Sequence, residues 1–256
     1  MYKHLLKNKK AVVFDLDGTL IDSEPLWKDA VEAVLANFDA DWIDYNEFPT
    51  GIPINIRWDL ILRKYPEYID TKMTTRDLEE ATYTQYLNKV QETGLNVRNG
   101  FWPLAYELKE QKKLKLGLAT NTKRKITDVV LKHLGIFQTF DVIVCGDEIK
   151  KPKPNGEIYT TVAQKLGVKP EEVLVFEDSS IGAAAANNAK MDLVIIWDGE
   201  ENKLYYPEKA SLFIPDFNGL SGQLDTDAGE DIKLAAEEIL RSRSQKPEEQ
   251  TPTNIA

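Results

Sequence analysis

Two apolar rhythms alternate along the chain. Short runs rich in β-branched and other apolar residues stand at 12–14, 115–119, 142–145, 173–176, 193–197 and, less regularly, 212–214. Each has the length of a buried strand rather than of a helix. Between 22 and 98 the period changes: Leu26, Ala30, Val34 and Phe38 fall on one helical face, behind a Ser23 able to cap the helix start and a Pro25 suited to its first turn. Helical spacing continues over 55–65 and 75–91, and Gly94 stops the last stretch. No strand is expected in this block.

From residue 100 onward helical segments return between the apolar runs, over 103–112, 123–134, 156–166 and 181–189, with Gly135 and Gly167 following the second and third. This alternation predicts an α/β fold, a doubly wound parallel sheet (Rossmann-like) with helices on both faces, interrupted after its first strand by an inserted helical cap domain. The expected division is residues 1–21 and 99–243 as the core, 22–98 as the cap, and 244–256 as a polar, proline-bearing disordered tail. Residues 231–243 carry the spacing of one more helix, with Ile232, Ala235, Ala236, Ile239 and Leu240 on its apolar face.

Composition narrows the functional classes. With 42% hydrophobic and 29% charged residues among 256, the chain reads as globular, and its formal net charge of −10 argues against sequence-independent nucleic-acid binding. An anionic substrate would need positive charge placed locally. No apolar run approaches the length that crosses a bilayer, and the basic first ten residues lack the apolar core of a secretion signal. The single cysteine, Cys145, allows no intrachain disulfide and reads as a small buried hydrophobe. The expectations are a cytoplasmic protein, with neither nucleic acid nor membrane as partner, monomeric with a dimer left open.

In an open parallel sheet, ligands bind beyond the carboxyl ends of the strands. Here the first run ends in Asp15-Leu16-Asp17-Gly18, the second in Thr120-Asn121-Thr122, and the fourth in Glu177-Asp178-Ser179. The third leads through Gly146-Asp147 to Lys150-Lys151-Pro152-Lys153-Pro154. Two carboxylates at the mouth of a buried strand cost stability unless a cation or a hydrogen-bond network satisfies them. The set suits phosphoryl transfer to an aspartate: Asp15 as nucleophile, and Mg²⁺ between Asp15, the backbone carbonyl of Asp17, and Asp178. A lysine of the 150–153 cluster and the Thr120 hydroxyl would hold phosphate oxygens, while Asp17 protonates the leaving oxygen and then activates water. Gly18 would permit a sharp turn close to the phosphate. Taken singly, each feature has a plainer reading: a calcium-loop fragment for Asp15 to Gly18, a helix cap for Thr120-Asn121 or Glu177-Asp178, a solvated loop for the lysines. Their order at successive strand ends favours catalysis.

These residues resemble the haloacid dehalogenase (HAD) superfamily of phosphatases and mutases. Phe14 to Leu20 is similar to its first motif, Ala119-Thr120-Asn121 to its second, Lys151 to Pro154 to its third and Phe176 to Ser179 to its fourth. The resemblance implies Lys151, immediately before Pro152, as the phosphate-binding lysine in preference to Lys153, Asn121 beside Thr120 at the phosphate, and Glu177 near the metal without being a ligand. Two positions depart from the family pattern: Lys150 stands where glycine is usual, and Ala189-Lys190 where an alanine-glycine pair often occurs. The cap position resembles the subgroup of β-phosphoglucomutase and sugar-phosphate phosphatases. Asp22 to Trp27 is similar to the opening of the sugar- and polyol-phosphate phosphatases, which implies Glu24 and Trp27 on the substrate side. Mutase relatives generally carry histidine at the position of Trp27, which equally forms an apolar stripe with Val31 and Leu35. The stretch 51–57 resembles a cap loop over the substrate, with Asn55 and Arg57 placed to read hydroxyls or a second anion, or simply to start a solvent-facing helix. The resulting expectation is a Mg²⁺-dependent phosphatase of a small phosphorylated sugar or polyol, with a phosphomutase or a phospho-accepting receiver module as alternatives.

Overall fold

The first apolar run becomes β1 (Ala11–Phe14), central in the sheet of a computed structural model that describes residues 3–69, 72–199 and 202–223. The other runs form β2 (Lys115–Thr120), β3 (Val142–Cys145), β4 (Val173–Glu177), β5 (Asp192–Ile196) and β6 (Ala210–Ile214). They join one six-stranded sheet in the order β3-β2-β1-β4-β5-β6, with every pairing parallel. β1 has β2 on one side and β4 on the other, so the chain order reverses there and a crevice opens above its carboxyl end.

Both faces of β1 are covered. Val12 and Phe14 enter one apolar cluster, Ala11 and Val13 the other, which is why the strand reads as a continuous apolar run instead of an alternating one. Phe14 pairs in register with Phe176 and stacks on it, ring centroids 5.1 Å apart and 7° from parallel. The next residues of the two strands, Asp15 and Glu177, therefore emerge side by side.

Three helices form the insert: α1 (Glu24–Leu35), α2 (Ile54–Lys64) and α3 (Thr75–Thr93). The last opens on a capping box, Thr74 accepting from the Asp77 amide while the Asp77 carboxylate accepts from the Thr74 amide, and it closes on left-handed Gly94. Entry to and exit from the insert are tied together: Ile21 and Val97 form an isolated antiparallel bridge, the Arg98 amide donates to the Leu20 carbonyl at 2.7 Å, and Arg98 Nε donates to the Gly18 carbonyl at 3.0 Å. The cap is thus clamped to the turn that carries Asp17. Ser23 departs from expectation, since its side chain caps nothing and turns into the site instead.

The remaining helices are α4 (Phe101–Tyr106), α5 (Arg124–His133), α6 (Glu157–Leu166) and α7 (Ser180–Asn188). The segment expected as one helix over 103–112 is divided, α4 continuing into a wider π-helical turn at Glu107–Gln111. β2 and β4 each run one residue further than the apolar pattern, so Thr120 and Glu177 are the last strand residues rather than the first loop residues. The helix expected at 231–243 and the tail at 244–256 lie outside the described residues. Among the described residues no helix is long and apolar enough to cross a membrane.

Candidate active site

The strand ends bring a buried acidic cluster together. Carboxylate oxygens of Asp15, Glu177 and Asp178 all lie within 4.8 Å of one another. Lys153 is the cation set against them: its Nζ donates to Asp15 Oδ1, to Glu177 Oε1 at 2.6 Å and to the Ala119 carbonyl at 3.1 Å. The lysine expected here was Lys151. Lys151 and Lys153 each precede a proline, so the motif can be read in two registers, and the fold chooses the second. The amides of Lys150 and Lys151 donate to the carboxylate of Glu157 at the start of α6, which pins that part of the loop outward and leaves Lys151 exposed. The Lys153 amide faces Asn121 Oδ1 at 3.4 Å, and its side chain is buried.

Glu177 organises this cluster. Its Oε1 accepts from Lys153 and from the Tyr159 hydroxyl at 2.8 Å. Its Oε2 accepts from the amides of Asp178 and Ser179 and from the Ser179 hydroxyl, at 3.0 to 3.2 Å. Both oxygens are committed, so Asp15 and Asp178 are the carboxylates free to take a cation. Asp178 is further placed by the Thr19 hydroxyl, 2.7 Å from its Oδ1, and by the Tyr206 hydroxyl, which donates to its carbonyl at 2.6 Å. Gly18 sits against it with φ at +83°, and a Cβ there would lie 2.0 Å from Asp178 Oδ2. Only glycine both adopts that backbone and leaves the space.

Electrostatics show what the cluster lacks. Burial, and after it the Glu177 and Asp15 charges, push the Asp178 carboxyl well above the usual carboxylate range. Burial likewise drives Asp15 upward, against the pull of Lys153 and with the charges of Glu177 and Asp17 adding to the rise. One lysine does not neutralise two buried carboxylates and a half-buried third, and a divalent cation on Asp15 and Asp178 fits both the charge and the hard oxygen donors.

Asp17 lies apart from that cluster, surrounded by donors. Its Oδ1 accepts from the Ser23 hydroxyl at 2.7 Å, from Trp27 Nε1 at 2.8 Å and from the Tyr86 hydroxyl at 3.4 Å. Its Oδ2 accepts from the Thr122 hydroxyl at 2.8 Å and, more weakly, from that of Thr120 at 3.4 Å. Sequence reasoning missed Ser23, Thr122 and Tyr86. Thr122 repeats the Thr120 hydroxyl just past the end of β2, where the chain bends and its amide donates to the Thr120 hydroxyl at 3.0 Å, and a repeated threonine at a strand end is the signal that could have revealed it. Tyr86 gave no such signal, being brought in by the packing of α3 on α1.

Above these groups lies a cleft of about 490 Å³, a figure that includes space open to solvent. Its core side is made by Asp15, Asp17, Thr120, Asn121, Thr122, Lys153 and Ser179, and its cap side by Glu24, Trp27, Tyr83 and the segment 51–54. The Asn121 amide group donates to the Gly51 carbonyl at 2.7 Å, joining the two sides. Of the expected cap residues, Glu24 and Trp27 line the cavity; Asn55 and Arg57 do not. Asn55 is exposed, and Arg57 is buried within the cap, donating to the Tyr45 and Pro49 carbonyls with its guanidinium 3.7 Å from the Tyr45 ring centroid. Its two terminal nitrogens are held by these loop carbonyls while Nε has no partner, so in this structure the side chain braces the cap. Cys145 is fully buried, and burial pushes its thiol up to about 12, as befits a packing residue.

Comparison with known proteins agrees with this geometry. Residues 9–190 match the family described as haloacid dehalogenase-like hydrolase. The chain is 32% identical over 186 residues to the phosphorylated carbohydrates phosphatase of Thermotoga maritima, covering 72% of this chain and 83% of that protein. It is 29% identical to the fructose-1-phosphate phosphatase of Escherichia coli, covering 72% and 94%. Among solved structures, CbbY from Rhodobacter sphaeroides in complex with phosphate superposes with a TM-score of 0.74 at 25% identity, covering 83% of this chain and 96% of that one.

Proposed function

The chain belongs to the haloacid dehalogenase-like hydrolase family, with a phosphatase fold and aspartate motif, and we propose that it hydrolyses a small phosphomonoester of a sugar or polyol through an aspartyl phosphate on Asp15. The observation that carries this is the pairing of buried Asp15 with Lys153 beneath a cavity that also holds Asp17 and Thr120. Mg²⁺, held by Asp15, Asp178 and the backbone carbonyl of Asp17, would supply the charge neutralisation that lets two anions meet. Lys153, through Nζ, and Thr120, through its hydroxyl, steady phosphate oxygens. Asp17 gives a proton to the leaving oxygen as the Asp15–phosphorus bond forms. It then takes one from the water that breaks that bond, so ester and water become alcohol and inorganic phosphate.

The lining also favours hydrolysis over mutase chemistry. A mutase of this kind holds a bisphosphate intermediate and needs a second cationic pocket on the cap. Among the described residues Lys153 is the one cation lining the cavity, and the cap contributes a carboxyl, two aromatic rings and the segment Gly51-Ile52-Pro53-Ile54. Such a wall suits a single phosphate carrying a neutral hydroxylated body, with Glu24 to bind hydroxyls. The relatives named for phosphorylated carbohydrates and fructose 1-phosphate support the same substrate class.

The test is phosphate release from a panel of sugar and polyol phosphates with and without Mg²⁺, alongside Asp15→Asn. Metal-dependent release that the substitution abolishes is expected. Release that survives Asp15→Asn would remove the aspartyl phosphate from the mechanism, and turnover that requires a sugar bisphosphate while freeing no phosphate would make the protein a mutase.

A further inference from the structure

The two oxygens of Asp17 are not equivalent. Oδ1 accepts three hydrogen bonds, from Ser23 Oγ, Trp27 Nε1 and the Tyr86 hydroxyl, while Oδ2 meets only the hydroxyls of Thr122 and Thr120. An indole N–H can donate and cannot accept. The Ser23 and Tyr86 hydroxyls can do either. With the Trp27 N–H fixed on it at 2.8 Å, Oδ1 must keep a lone pair for that donor and is the poorer place for an added proton, whereas both groups on Oδ2 are hydroxyls that can rotate to accept from a protonated carboxyl. The donor ring is also rigid: the Trp27 indole lies parallel to the Tyr86 ring, centroids 3.6 Å apart and planes within 3°, with Tyr83 packed edge-on at 6.0 Å. Trp27 is 4% exposed, so it has no room to turn away.

Building on the phosphatase reading, we infer that Trp27, backed by Tyr86, is a positioning residue that anchors Asp17 through Oδ1, and that Oδ2 alone carries the proton to the leaving oxygen and takes it back from water. The cap helix α1 thus orients the acid/base directly, in addition to walling the cavity. A carboxylate free to rotate about its terminal torsion would present the wrong oxygen, or none, to the substrate. Fixing one oxygen removes that disorder.

The inference separates substrates by their leaving groups. A polyol alkoxide must be protonated as it departs, whereas p-nitrophenolate leaves without help, so an ill-placed Asp17 slows the first far more than the second. The experiment measures the first turnover of a hexitol phosphate and of p-nitrophenyl phosphate, with Mg²⁺, in the unsubstituted protein, its Trp27→Phe variant and its Tyr86→Phe variant. Trp27→Phe keeps a ring against Tyr86 and removes the N–H. General acid–base groups contribute 10²–10⁴-fold, and losing one of three anchors forfeits part of this, so the hexitol-to-nitrophenyl rate ratio is expected to fall about tenfold with KM little changed. Tyr86→Phe, deleting the longest of the three bonds, should shift the ratio the same way by less, and it decides the matter if Trp27→Phe does not fold. An unchanged ratio in a folded variant, whether both rates fall together or neither does, overturns the positioning role and leaves the phosphatase reading standing. A wild-type protein that cleaves neither ester overturns both.

Discussion

Exchanging the two lysines of the loop after β3 puts the site's electrostatics to a quantitative test. Lys153→Met keeps the length and apolar stem of the side chain and removes the charge that bridges Asp15 and Glu177, two residues only 6% and 0% exposed. Breaking a buried pair by deleting one partner costs about 3–5 kcal/mol, because the other charge stays behind unpaired. Against a typical domain stability of about 5–15 kcal/mol the variant should remain folded with a much reduced urea midpoint. Burial alone would depress the Lys153 ammonium, but the Asp15 and Glu177 charges outweigh it and raise it above its ordinary value of 10.5. A raised lysine stabilises fully below its unfolded value and loses that contribution only as pH climbs through the folded one, so the titration of the lysine itself adds no pH dependence to the cost across neutral pH. Activity should fall further than stability: removing one preorganised donor to a developing anion costs about 10²–10³-fold in turnover. Lys151→Met alters an exposed side chain whose amide bond to Glu157 persists, so it should stay within about 0.5 kcal/mol of wild type and keep its activity. Urea unfolding and phosphate release on the two variants, side by side, make the measurement. Loss of activity in Lys151→Met with retention in Lys153→Met would mean that the loop shifts by two residues when substrate binds, and the assignment would fail.

Two other expectations concern stability. Burial first, with the Asp17 and Asp22 charges adding, raises the Glu24 carboxyl above its ordinary 4.5 against the pull of Arg57 and Tyr45, so the folded state binds this proton more tightly than the unfolded one. The carboxylate therefore penalises folding above the folded value, and the penalty fades as pH drops toward 4.5; Glu24→Gln should raise the melting temperature at pH 7.5, lose that gain near pH 4.5, and raise KM for a polyol phosphate. A gain independent of pH would contradict the burial argument. Lys190, at the position where the family often has glycine, adopts φ of 61° on an exposed turn after α7; Lys190→Gly should relieve that backbone and, after the entropy cost of glycine, raise the urea midpoint by about 0.5–1 kcal/mol equivalent at unchanged m, while a lower midpoint would show the lysine to be holding something in place.

Legibility in the sequence followed the range of the interactions concerned. Strands β1 to β5 were readable because a strand covered on both faces needs an unbroken apolar run, and their carboxyl ends carried the chemistry in chain order. Asp15, Thr120 and Asp178 sit at the site for that reason. Lys153 was misread because local spacing cannot choose between two lysines that each precede a proline; the choice is made by Glu157 and Asn121 pinning the loop. The cap was least legible. Arg57 looks like an anion reader from its charge, and becomes a buried brace because the carbonyls of Tyr45 and Pro49 arrive from a loop that sequence spacing does not place. Ser23 was assigned by its local role as a helix cap and is claimed instead by Asp17, where a charge-assisted bond outcompetes a neutral cap.

Glu177 shows how this site tolerates so much buried negative charge. It receives five hydrogen bonds, from Lys153, Tyr159, the amides of Asp178 and Ser179 and the Ser179 hydroxyl. Three of those donors belong to the turn of Asp178 and Ser179, and a fourth is the lysine on Asp15. A carboxylate that takes this many donors loses little by leaving water, and it fixes Lys153 and Asp178 relative to Asp15 at the same time. The space around it is correspondingly tight: a Cβ on Gly182 in α7 would lie 1.7 Å from Glu177 Oε1. On the proposed mechanism, the acid assigned to neither the phosphate nor the cation thus sets the distance between the groups that are. Glu177 thus holds the cluster from beneath the cavity while Ser23, Trp27 and Tyr86 hold Asp17 from the cap side, and Asp15 stands between the two networks.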